Sequence, residues 1–472
     1  MSPTFDGKFY RVPQVAVKTD ISGLTSTALA PGGIVAMIGS AEGGAPNLVT
    51  RFTDPVEATN TFRGGNLLEA AQVAWQHGAQ VIYMTRIGTA DQATLTLVDG
   101  ASADVLQVDS IDYGDYVNEI KVKVEDGSVS GKKVTVQLYD SLTNRTTVEV
   151  GDNLADAISI ANYFNGITEG VEPSALVTMT SIVSGGIPEN IGYTNLSGGD
   201  NGTPLTATDW SNALDLYATE FVNILHPAGS TDATVHALFQ THVETYSNQK
   251  LERTAVVGAA AEDPIGDIST PDSLVYRAYN MNSERMVLVA PGTDGRSGAY
   301  TAAKIVGRAA GVDVATPLTY QTITATSIAE KYTASQKDTL VQYGILAIEE
   351  VPQGRRIVRG ITTVQDPSQT TEDPFKEYSV LRIRDYVNSN VRSILESTYI
   401  GKKGVFGVES QIQATTASVL GRLKEAEIVL GYRNIRVTKD QNNPKVYYVN
   451  YQIAPISPIN WIFVTTEFVN TI

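Results

Sequence analysis

The spacing of apolar residues along the chain predicts alternating strands and helices. Residues 33–39 form a short apolar run between glycines, which is typical of a buried strand, and residues 67–77 repeat apolar side chains at helical intervals. Residues 80–86 predict the next strand, and together these segments make a β-α-β unit. Between 208 and 316, three apolar strands alternate with helices, and this order predicts a doubly wound, largely parallel α/β unit.

A stretch of different character separates these two parts. From about 89 to 199 the chain alternates apolar and polar residues in short segments, with one helix predicted at 153–164. Glycine-rich turns at 185–186 and 197–202 close the stretch. The pattern predicts a small β-rich domain inserted into the first α/β unit.

Both ends of the chain are predicted to contain strands. Residues 8–18 form one, and after helices at 374–398 and 409–430 the chain continues with strands at 434–438, 446–453 and 462–469. An unpaired strand edge accepts a strand from another chain, so these ends indicate a subunit built to associate. The candidate inter-subunit strand residues are Tyr10, Val12, Val15, Val17, Val446, Tyr448, Ile462 and Val464.

Three glycines precede the first core strand. Gly23, Gly32 and Gly33 lie between it and the N-terminal strand, and glycine accepts backbone conformations that other residues avoid. They are candidate flexible joints.

Composition limits the class of protein. A chain of 472 residues exceeds one ordinary core, which indicates two to four domains, and 42% hydrophobic residues is typical of globular proteins. Without cysteine, neither disulfides nor thiolate sites can form. The first residues do not resemble a secretory leader and no run of eighteen apolar residues occurs, so we expect synthesis in the cytosol and no membrane span.

Charge is unevenly distributed. The chain carries −16 in total, but residues 375–472 contain 12 Lys and Arg against 8 Asp and Glu. An acidic body opposes nucleic-acid binding, whereas the mildly basic C-terminal part could contact an acidic protein surface. Chance variation on a solvated face explains a net charge of +4 equally well.

Candidate catalytic motifs are incomplete. The glycine-rich stretch 39–44 lacks the spacing of a nucleotide-binding loop, and 295–298 lacks that of a nucleophile elbow, which leaves Ser297 as a helix cap. The four histidines have no metal-binding spacing, and the carboxylate pairs are neighbours in sequence, as solvated charges often are. These residues are His77, His226, His236, His242, Glu262, Asp263, Glu349, Glu350, Glu372 and Asp373. We therefore expect no enzyme activity, cofactor or metal.

Several segments in a fixed order resemble the tail sheath proteins of contractile phages, particularly the prophage and Gram-positive-type members. The first runs from 33 to 46 and continues through 67–86, and the second is 355–363. The third runs from Arg384-Asp385-Tyr386-Val387 through Tyr399-Ile400-Gly401-Lys402 to 455–469. After Lys402 the chain reads Lys403-Gly404-Val405-Phe406, where relatives often have an Asn-containing turn.

The resemblance implies a multidomain fold, α/β and α+β, whose core domain is built from both chain ends. It carries an inserted β-rich domain, an α/β domain and extended N- and C-terminal strand arms. The implied division is an N-terminal arm (1–24), a first core part (25–90), the β-rich insert (91–200), the α/β domain (201–345), a second, tube-facing core part (346–440) and C-terminal strands with an arm (441–472).

The same resemblance implies how the protein works. Six subunits would form a ring around a tail tube, rings would stack helically through exchanged arms, and contraction would drive the tube through the host envelope. The implied partners are further copies, the tube protein, and the baseplate and tail terminator proteins, but no nucleic acid. The location would be a virion tail, or a headless contractile particle, assembled in the bacterial cytoplasm.

Combined with the charge distribution, the resemblance predicts that the basic C-terminal part faces an acidic tube. The candidate contacts are Arg392, Lys402, Lys403, Arg422 and Lys424. Two alternatives remain at this point: an α/β enzyme of unknown substrate with its site in 200–320, and a monomeric adhesin that binds through the β-rich insert.

Overall fold

The computed structural model describes residues 4–5, 8–9, 33–202, 204–365, 373–404, 406–466 and 468. At the N-terminus, β1 (Thr4–Phe5) pairs antiparallel with β2 (Lys8–Phe9). The strand candidates Tyr10, Val12, Val15 and Val17, and the candidate joints Gly23 and Gly32, lie outside the described residues.

The first α/β segment contains the predicted β-α-β unit and one further strand. Its elements are β3 (Ile34–Gly39), β4 (Val49–Phe52), α1 (Pro55–Phe62), α2 (Gly65–Gln76) and β5 (Val81–Arg86). Asp54 caps α1 by accepting a hydrogen bond from the Val56 amide, and Pro55 occupies the first turn, where a missing N–H costs nothing. Strands β3 and β5 are parallel neighbours, and β4 adds antiparallel to β5.

The β-rich insert forms two antiparallel sheets around a core of its own. Its elements are β6 (Thr94–Val98), β7 (Asp104–Ser110), β8 (Lys121–Asp126), β9 (Lys132–Asp140), β10 (Arg145–Leu154), α3 (Ala157–Phe164), β11 (Val177–Ser181) and β12 (Ile191–Asn195). The sheets have the orders β10-β9-β8-β12 and β11-β7-β6, and a short 3₁₀ helix (Asp115–Glu119) lies between β7 and β8. Val122, Val136 and Phe164 belong to one buried cluster, which gives the insert an independent core.

The chain enters and leaves the insert at adjacent points. The Asp91 amide donates to the Asp200 carbonyl at 3.0 Å, and the Asp200 amide donates back at 3.4 Å. Beside this crossing, the fully buried Arg86 donates to the carbonyls of Gly44, Tyr113 and Asn201. One side chain therefore joins the sheet, the insert and the returning chain.

Replacing this arginine is expected to loosen the insert. Arg86→Met removes hydrogen bonds to three carbonyls, at a cost on the order of 3 kcal/mol in the free energy of unfolding. Urea denaturation followed by circular dichroism measures the loss. The control is Arg51→Met, at an exposed position on β4, which should change stability by less than about 0.5 kcal/mol. Equal losses in the two variants would contradict this account of Arg86.

The second α/β segment alternates helix and strand. Its elements are α4 (Ala207–Asp215), β13 (Ile224–Pro227), α5 (Ala233–Asn248), β14 (Thr254–Gly258), α6 (Leu274–Met281), β15 (Met286–Ala290), α7 (Gly298–Gly311), β16 (Thr322–Ile323), α8 (Ala334–Gln342), β17 (Ile345–Val351) and β18 (Gly354–Ile357). Strands β13, β14, β15 and β17 are parallel, which confirms the predicted doubly wound unit. Helices cover both faces of the sheet, and a buried apolar cluster lies on each.

One nine-stranded sheet joins segments that the sequence analysis assigns to separate domains. Its order is β16-β18-β17-β15-β14-β13-β3-β5-β4, so β3, from the region 25–90, lies beside β13, from the region 201–345. Ile224 pairs with Val35, and Pro227 pairs with Ile38. Apolar periodicity identifies buried strands but does not say which strands become neighbours. The regions on either side of the insert are therefore assigned to separate domains in the sequence analysis, although their strands share one sheet.

The C-terminal part consists of two long helices and a hairpin. After a 3₁₀ turn (Pro374–Lys376), these are α9 (Tyr378–Tyr399), α10 (Val408–Glu425), β19 (Val429–Lys439) and β20 (Tyr447–Pro455). The third predicted strand, 462–469, is wrong for the isolated chain, because residues 461–466 pair with no strand. Its β-branched and aromatic residues suit a strand, but the described residues of this chain provide no partner strand for them.

Helix α9 is fixed to the α/β sheet by three ion pairs, here called the α9 clasp. Arg384 binds Glu284 through two hydrogen bonds of 3.0 and 2.6 Å. Arg392 likewise binds Glu252 through both guanidinium nitrogens. The third pair joins Arg285 and Asp385. Since Glu252, Glu284 and Arg285 lie just before β14 and β15, the clasp holds α9 at the amino ends of these strands.

Candidate assembly surface

The hairpin β19–β20 has two open edges. Its strands pair antiparallel with each other, from Val429 opposite Pro455 to Lys439 opposite Tyr447, and with no other described strand. Exposure alternates along β20, so that Tyr451 and Ile453 pack on the helices while Tyr448 faces outward. A two-stranded sheet is marginal by itself, and each open edge presents backbone groups that can pair with an added strand.

Near the end of the chain, several apolar side chains are exposed. Ile462, Phe463 and Val464 are 80%, 92% and 81% exposed, and Phe468 is 94% exposed. Residues 462–468 are called the C-terminal arm here. Monomeric proteins rarely expose contiguous apolar groups of this kind, which mark sites of association.

Four side chains hold the start of this arm against the sheet. The Asn460 side-chain amide donates to Glu377 Oε1 at 2.9 Å, and Arg359 Nε donates to the same oxygen at 2.7 Å. The Arg359 guanidinium also lies 5.2 Å from the centre of the Trp461 ring, within the range of a cation–π contact. Arg359, Glu377, Asn460 and Trp461 are called the arm anchor.

The five candidate tube contacts do not form one patch. Arg392 belongs to the α9 clasp, whereas Lys402 and Lys403 are exposed in the turn between α9 and α10. Arg422 and Lys424 lie in the last turn of α10. An 18-residue helix is roughly 27 Å long, so the two lysines and this last turn are far apart. Sequence alone could not place Glu252 beside Arg392, because 140 residues separate them.

Of the remaining candidates, Gly33 and Val446 lie among the described residues. A Cβ added at Gly33 would approach the Ala310 carbonyl oxygen to 2.4 Å, so close packing accounts for this glycine. The next amide, Ile34 N, donates to the Asn223 side chain at 3.1 Å. Val446 is half-buried and immediately precedes β20. The roles of both residues stay predictions.

The crevice where an α/β enzyme would bind its ligand is small. The strand order reverses between β3 and β13, and ligands of such sheets bind at the carboxyl ends of the strands at this point. The cavity there measures about 250 Å³, below the usual 300–1,000 Å³ of ligand sites. Its one acidic group, Asp232, accepts a hydrogen bond from the Thr234 amide as the cap of α5.

Three of the candidate catalytic carboxylates, Asp263, Glu349 and Glu350, are bound in ion pairs. Asp263 binds Arg277 at 2.7 Å, and Glu349 binds Lys337 and Arg356, both at 2.7 Å. Although burial raises the pKa of Glu349, the hydrogen bonds from its two cationic partners lower it overall. A carboxylate whose pKa is held below its usual value by two cationic partners is poorly suited to serve as a general acid.

Neither a metal-binding cluster nor a membrane-spanning helix occurs in the part of the chain that the structure describes. Within the described ranges, no group of three His, Cys, Asp or Glu could hold a metal ion. In that part of the chain, no helix combines the length and apolar character needed to cross a bilayer.

Two family models match consecutive parts of the chain. The phage tail sheath protein central domain matches residues 203–363, and the phage tail sheath C-terminal domain matches 370–469, together more than half of the chain. The chain belongs to the phage tail sheath family. The second match contains the hairpin, the C-terminal arm and three of the four anchor residues, whereas Arg359 lies in the first match, so these features of the sheath protein lie in recognised sheath domains.

Relatives of this sheath protein match along its whole length. It is 26% identical to the tail sheath protein of Bacillus phage SP01, over 98% of this chain and 96% of the relative. It is 23% identical to that of Staphylococcus phage Twort, over 95% and 96%. These matches confirm the predicted family and its Gram-positive type.

Solved structures share the fold. The sheath tail protein of Desulfitobacterium hafniense matches with a TM-score of 0.69 and 16% identity, over 94% of this chain and 97% of that one. The helical sheath of the anti-feeding prophage in its contracted state matches with a TM-score of 0.53 and 12% identity, over 98% and 100%. The predicted mixed α/β fold of several sheets is thereby confirmed. The family and these neighbours are structural sheath proteins, and none of these findings supports the enzyme alternative.

Proposed function

We propose that the protein is a structural subunit that polymerises as stacked hexameric rings around a tail tube and contracts to drive the tube through the host envelope. The observation that carries the proposal is the presence, in one molecule, of an exposed apolar arm and an open-edged hairpin. The arm has no strand partner among the described residues of its own chain, and the hairpin can accept further strands.

Exchange of arms would link neighbouring subunits. An added strand of five or six residues makes about four or five backbone hydrogen bonds, each stabilising by roughly 0.5–1.5 kcal/mol, so one arm contributes several kcal/mol. Both chain ends would act in this way, and each subunit would then be tied to several copies. The resulting mesh would keep subunits connected while their other contacts change.

Contraction would be a rigid-body movement of subunits between two interface arrangements. Two features favour subunits that move as units. The α9 clasp ties the C-terminal helices to the sheet, and Arg86 ties the insert to the same sheet. The work would come from a bistable interface instead of bond hydrolysis, with flexibility confined to the arms and to joints such as Gly23 and Gly32.

The placement of each part follows from this assembly. The region 346–440 would face the tube, the C-terminal strands and arm, 441–472, would link neighbouring subunits, and the insert, 91–200, would project outward. The partners would be further copies, the tube protein, and the baseplate and tail terminator proteins. The particle would be a virion tail or a headless contractile particle, assembled in the host cytoplasm.

Electron microscopy of the purified protein tests the proposal. Negative staining of the chain alone, and of the chain mixed with its tube protein, should show rings or striated tubes. Particles that stay single over a wide range of protein concentration, with and without the tube, would contradict it and return the adhesin alternative to consideration.

Charge reversal tests the tube-facing surface. Lys402→Glu with Lys403→Glu should weaken assembly on an acidic tube by about tenfold or more, since two exposed attractions of roughly 0.5–1 kcal/mol are lost and replaced by repulsion. Co-sedimentation with the tube at low salt measures this. The control, Lys121→Glu with Lys133→Glu, makes the same charge change on the insert and should leave assembly intact. Unchanged binding of the Lys402 and Lys403 variant would remove these residues from the tube contact.

A further inference from the structure

The chain crosses from one structural unit to another just before its arm begins. Strand β20 ends at Pro455 in the C-terminal unit, where Ile456 still packs on the apolar cluster of α9 and α10. Five residues later, Asn460 and Trp461 contact Glu377 and Arg359, at the junction of the sheet and α9. The hairpin and the start of the arm are therefore held on different supports.

Two anchor residues, Arg359 and Glu377, are buried, whereas Trp461, the anchor residue next to the arm, is largely exposed. Arg359 and Glu377 are each only 7% exposed, and their ion pair is closed by two hydrogen bonds to one carboxylate oxygen. Asn460 is half-buried, and Trp461 lays its ring against the guanidinium while remaining 63% exposed. From Ile462 onward each described residue is exposed. The change from held to free chain thus occurs between Trp461 and Ile462.

We propose that Asn460 and Trp461 are positioning residues, which fix the point and direction at which the C-terminal arm leaves the subunit. The inference rests on the proposed function, in which the arm pairs with a second copy of this chain. In addition, the inference states that the arm leaves the subunit from the α/β core, so that the hairpin of the same subunit stays available to accept strands.

Holding the exit point matters for the rate of assembly. The effective concentration of a tethered segment at its target falls steeply when the tether is longer than the span requires. Without the anchor, the free chain would begin near Ile456 instead of Ile462, which nearly doubles the length of the described arm. The arm would then search a larger volume before meeting a neighbouring sheet.

The anchor also determines where tension on the arm is carried. A pull on a free chain beginning at Pro455 would act on the last pair of the hairpin, Val429 opposite Pro455, and would open the strands one pair at a time. When the anchor contacts of Asn460 and Trp461 are formed, the force on the arm acts on the buried Arg359–Glu377 pair instead of on the hairpin. The accepting hairpin is thereby protected from the load on its own arm.

A distance measurement on the isolated subunit tests the anchor directly. The chain has no cysteine, so Thr466→Cys on the arm and Ser335→Cys on α8, both at exposed positions, take spin labels without competition. Asn460→Ala with Trp461→Ala should widen the distribution of label distances by about twofold, because the arm then swings from a point nearer the hairpin. Circular dichroism checks that the variant is folded, as expected for residues near the surface.

Two matched variants complete the experiment. Ile459→Ala, at an exposed neighbour outside the anchor, should leave the distribution narrow, and Trp461→Phe should keep it narrow because a ring still faces the guanidinium. The double alanine variant should also assemble several-fold more slowly than the wild type. An unchanged distribution, or an unchanged assembly rate, would overturn the positioning role.

The failure of this proposal can be told from failure of the proposed function. A chain lacking 462–472 has no arm to position. If it still forms normal sheaths, the arm is not an assembly element and the proposed function fails at that point. If it forms none, while the double alanine variant behaves as the wild type, only the positioning role is refuted.

Discussion

A chain that ends at Trp461 is expected to remain folded and to form no sheath. Those removed residues that the structure describes pair with no strand of the subunit and are exposed, so the deletion should leave the melting temperature nearly unchanged. Assembly would lose an added strand with about four or five hydrogen bonds and one or two buried apolar side chains of roughly 1.5–3 kcal/mol each. After the costs of association, a loss on the order of 5 kcal/mol raises the protein concentration needed for assembly by several thousandfold.

Sedimentation velocity and negative-stain microscopy measure this outcome. A control variant separates the arm from general surface hydrophobicity: Val129→Ser with Ile167→Ser removes two apolar side chains of the insert that are also highly exposed, and should assemble normally. Deleting residues 1–19 should block assembly in the same manner as deleting the C-terminal arm. Long sheaths of normal appearance from either truncated chain would refute the role of that arm.

The second large effect is a loss of folding stability at acid pH. Between pH 7.5 and pH 5 the folded protein is expected to lose about 2 kcal/mol of stability for each of three buried histidines, or on the order of 6 kcal/mol together. Such a loss is comparable to the whole stability of many domains. The three residues are His226, His236 and His242.

Burial is the main cause of the lowered pKa of each of these histidines, because desolvation disfavours the charged imidazolium. His226 is fully buried and donates from Nδ1 to the Val256 carbonyl at 2.8 Å, and desolvation lowers its pKa to about 4 although this hydrogen bond opposes the shift. Desolvation likewise lowers the pKa of His236 to about 3, with a smaller contribution from the positive charge of Arg277.

His242 shows the same behaviour with a directional contact. Desolvation and, to a smaller extent, the positive charge of the neighbouring Arg253 together lower its pKa to about 3. The Arg253 guanidinium donates to His242 Nε2 at 3.0 Å, so this nitrogen must be an unprotonated acceptor. Protonation of His242 would replace a hydrogen bond by the repulsion of two positive charges.

The loss of stability at acid pH follows from the lowered pKa values of the three histidines. Above pH 6.5 the histidines are neutral in both folded and unfolded chains and do not affect stability. Below pH 6.5 the unfolded chain takes up protons that the folded chain refuses, down to pH 4 or 3, so stability falls throughout this window.

Urea denaturation at a series of pH values measures the effect. His242→Gln keeps an acceptor for Arg253 and should reduce the difference between pH 7.5 and pH 5 by about 2 kcal/mol. If this variant and the corresponding variants of the other two histidines all kept the full wild-type pH dependence, buried histidines would not be the cause.

Strong periodicity accounts for what the sequence predicted well. The alternation of strands and helices predicted between 208 and 316 is found, for example in β15 (Met286–Ala290) and α7 (Gly298–Gly311). Both lie in the sheet core, where every residue of the strand and most of the helix are buried, so the apolar pattern is nearly uninterrupted. The family was recognisable for a related reason, since several such segments occur in a fixed order.

The elements that the prediction missed have weak patterns. Helix α8 has one fully buried residue, Leu340, and therefore lacks an apolar stripe. Strand β12 has no fully buried residue. Joining of β3 to β13 depends on a contact between residues almost 190 positions apart, which periodicity does not encode. The same limit applies to the arm anchor, because Asn460 lies 83 residues from Glu377 and neither has a distinctive neighbourhood in sequence.

The crossing of Asp91 and Asp200 gives the insert the character of an exchangeable module. Because the two ends are separated by a single pair of backbone hydrogen bonds, another domain with closely spaced termini can be spliced between them without stretching the sheet. Two of the three carbonyls that Arg86 binds, those of Gly44 and Asn201, belong to segments that would remain. On a polymer of many identical copies, such a graft would be displayed at regular intervals, which makes this position suitable for engineering a repetitive display scaffold.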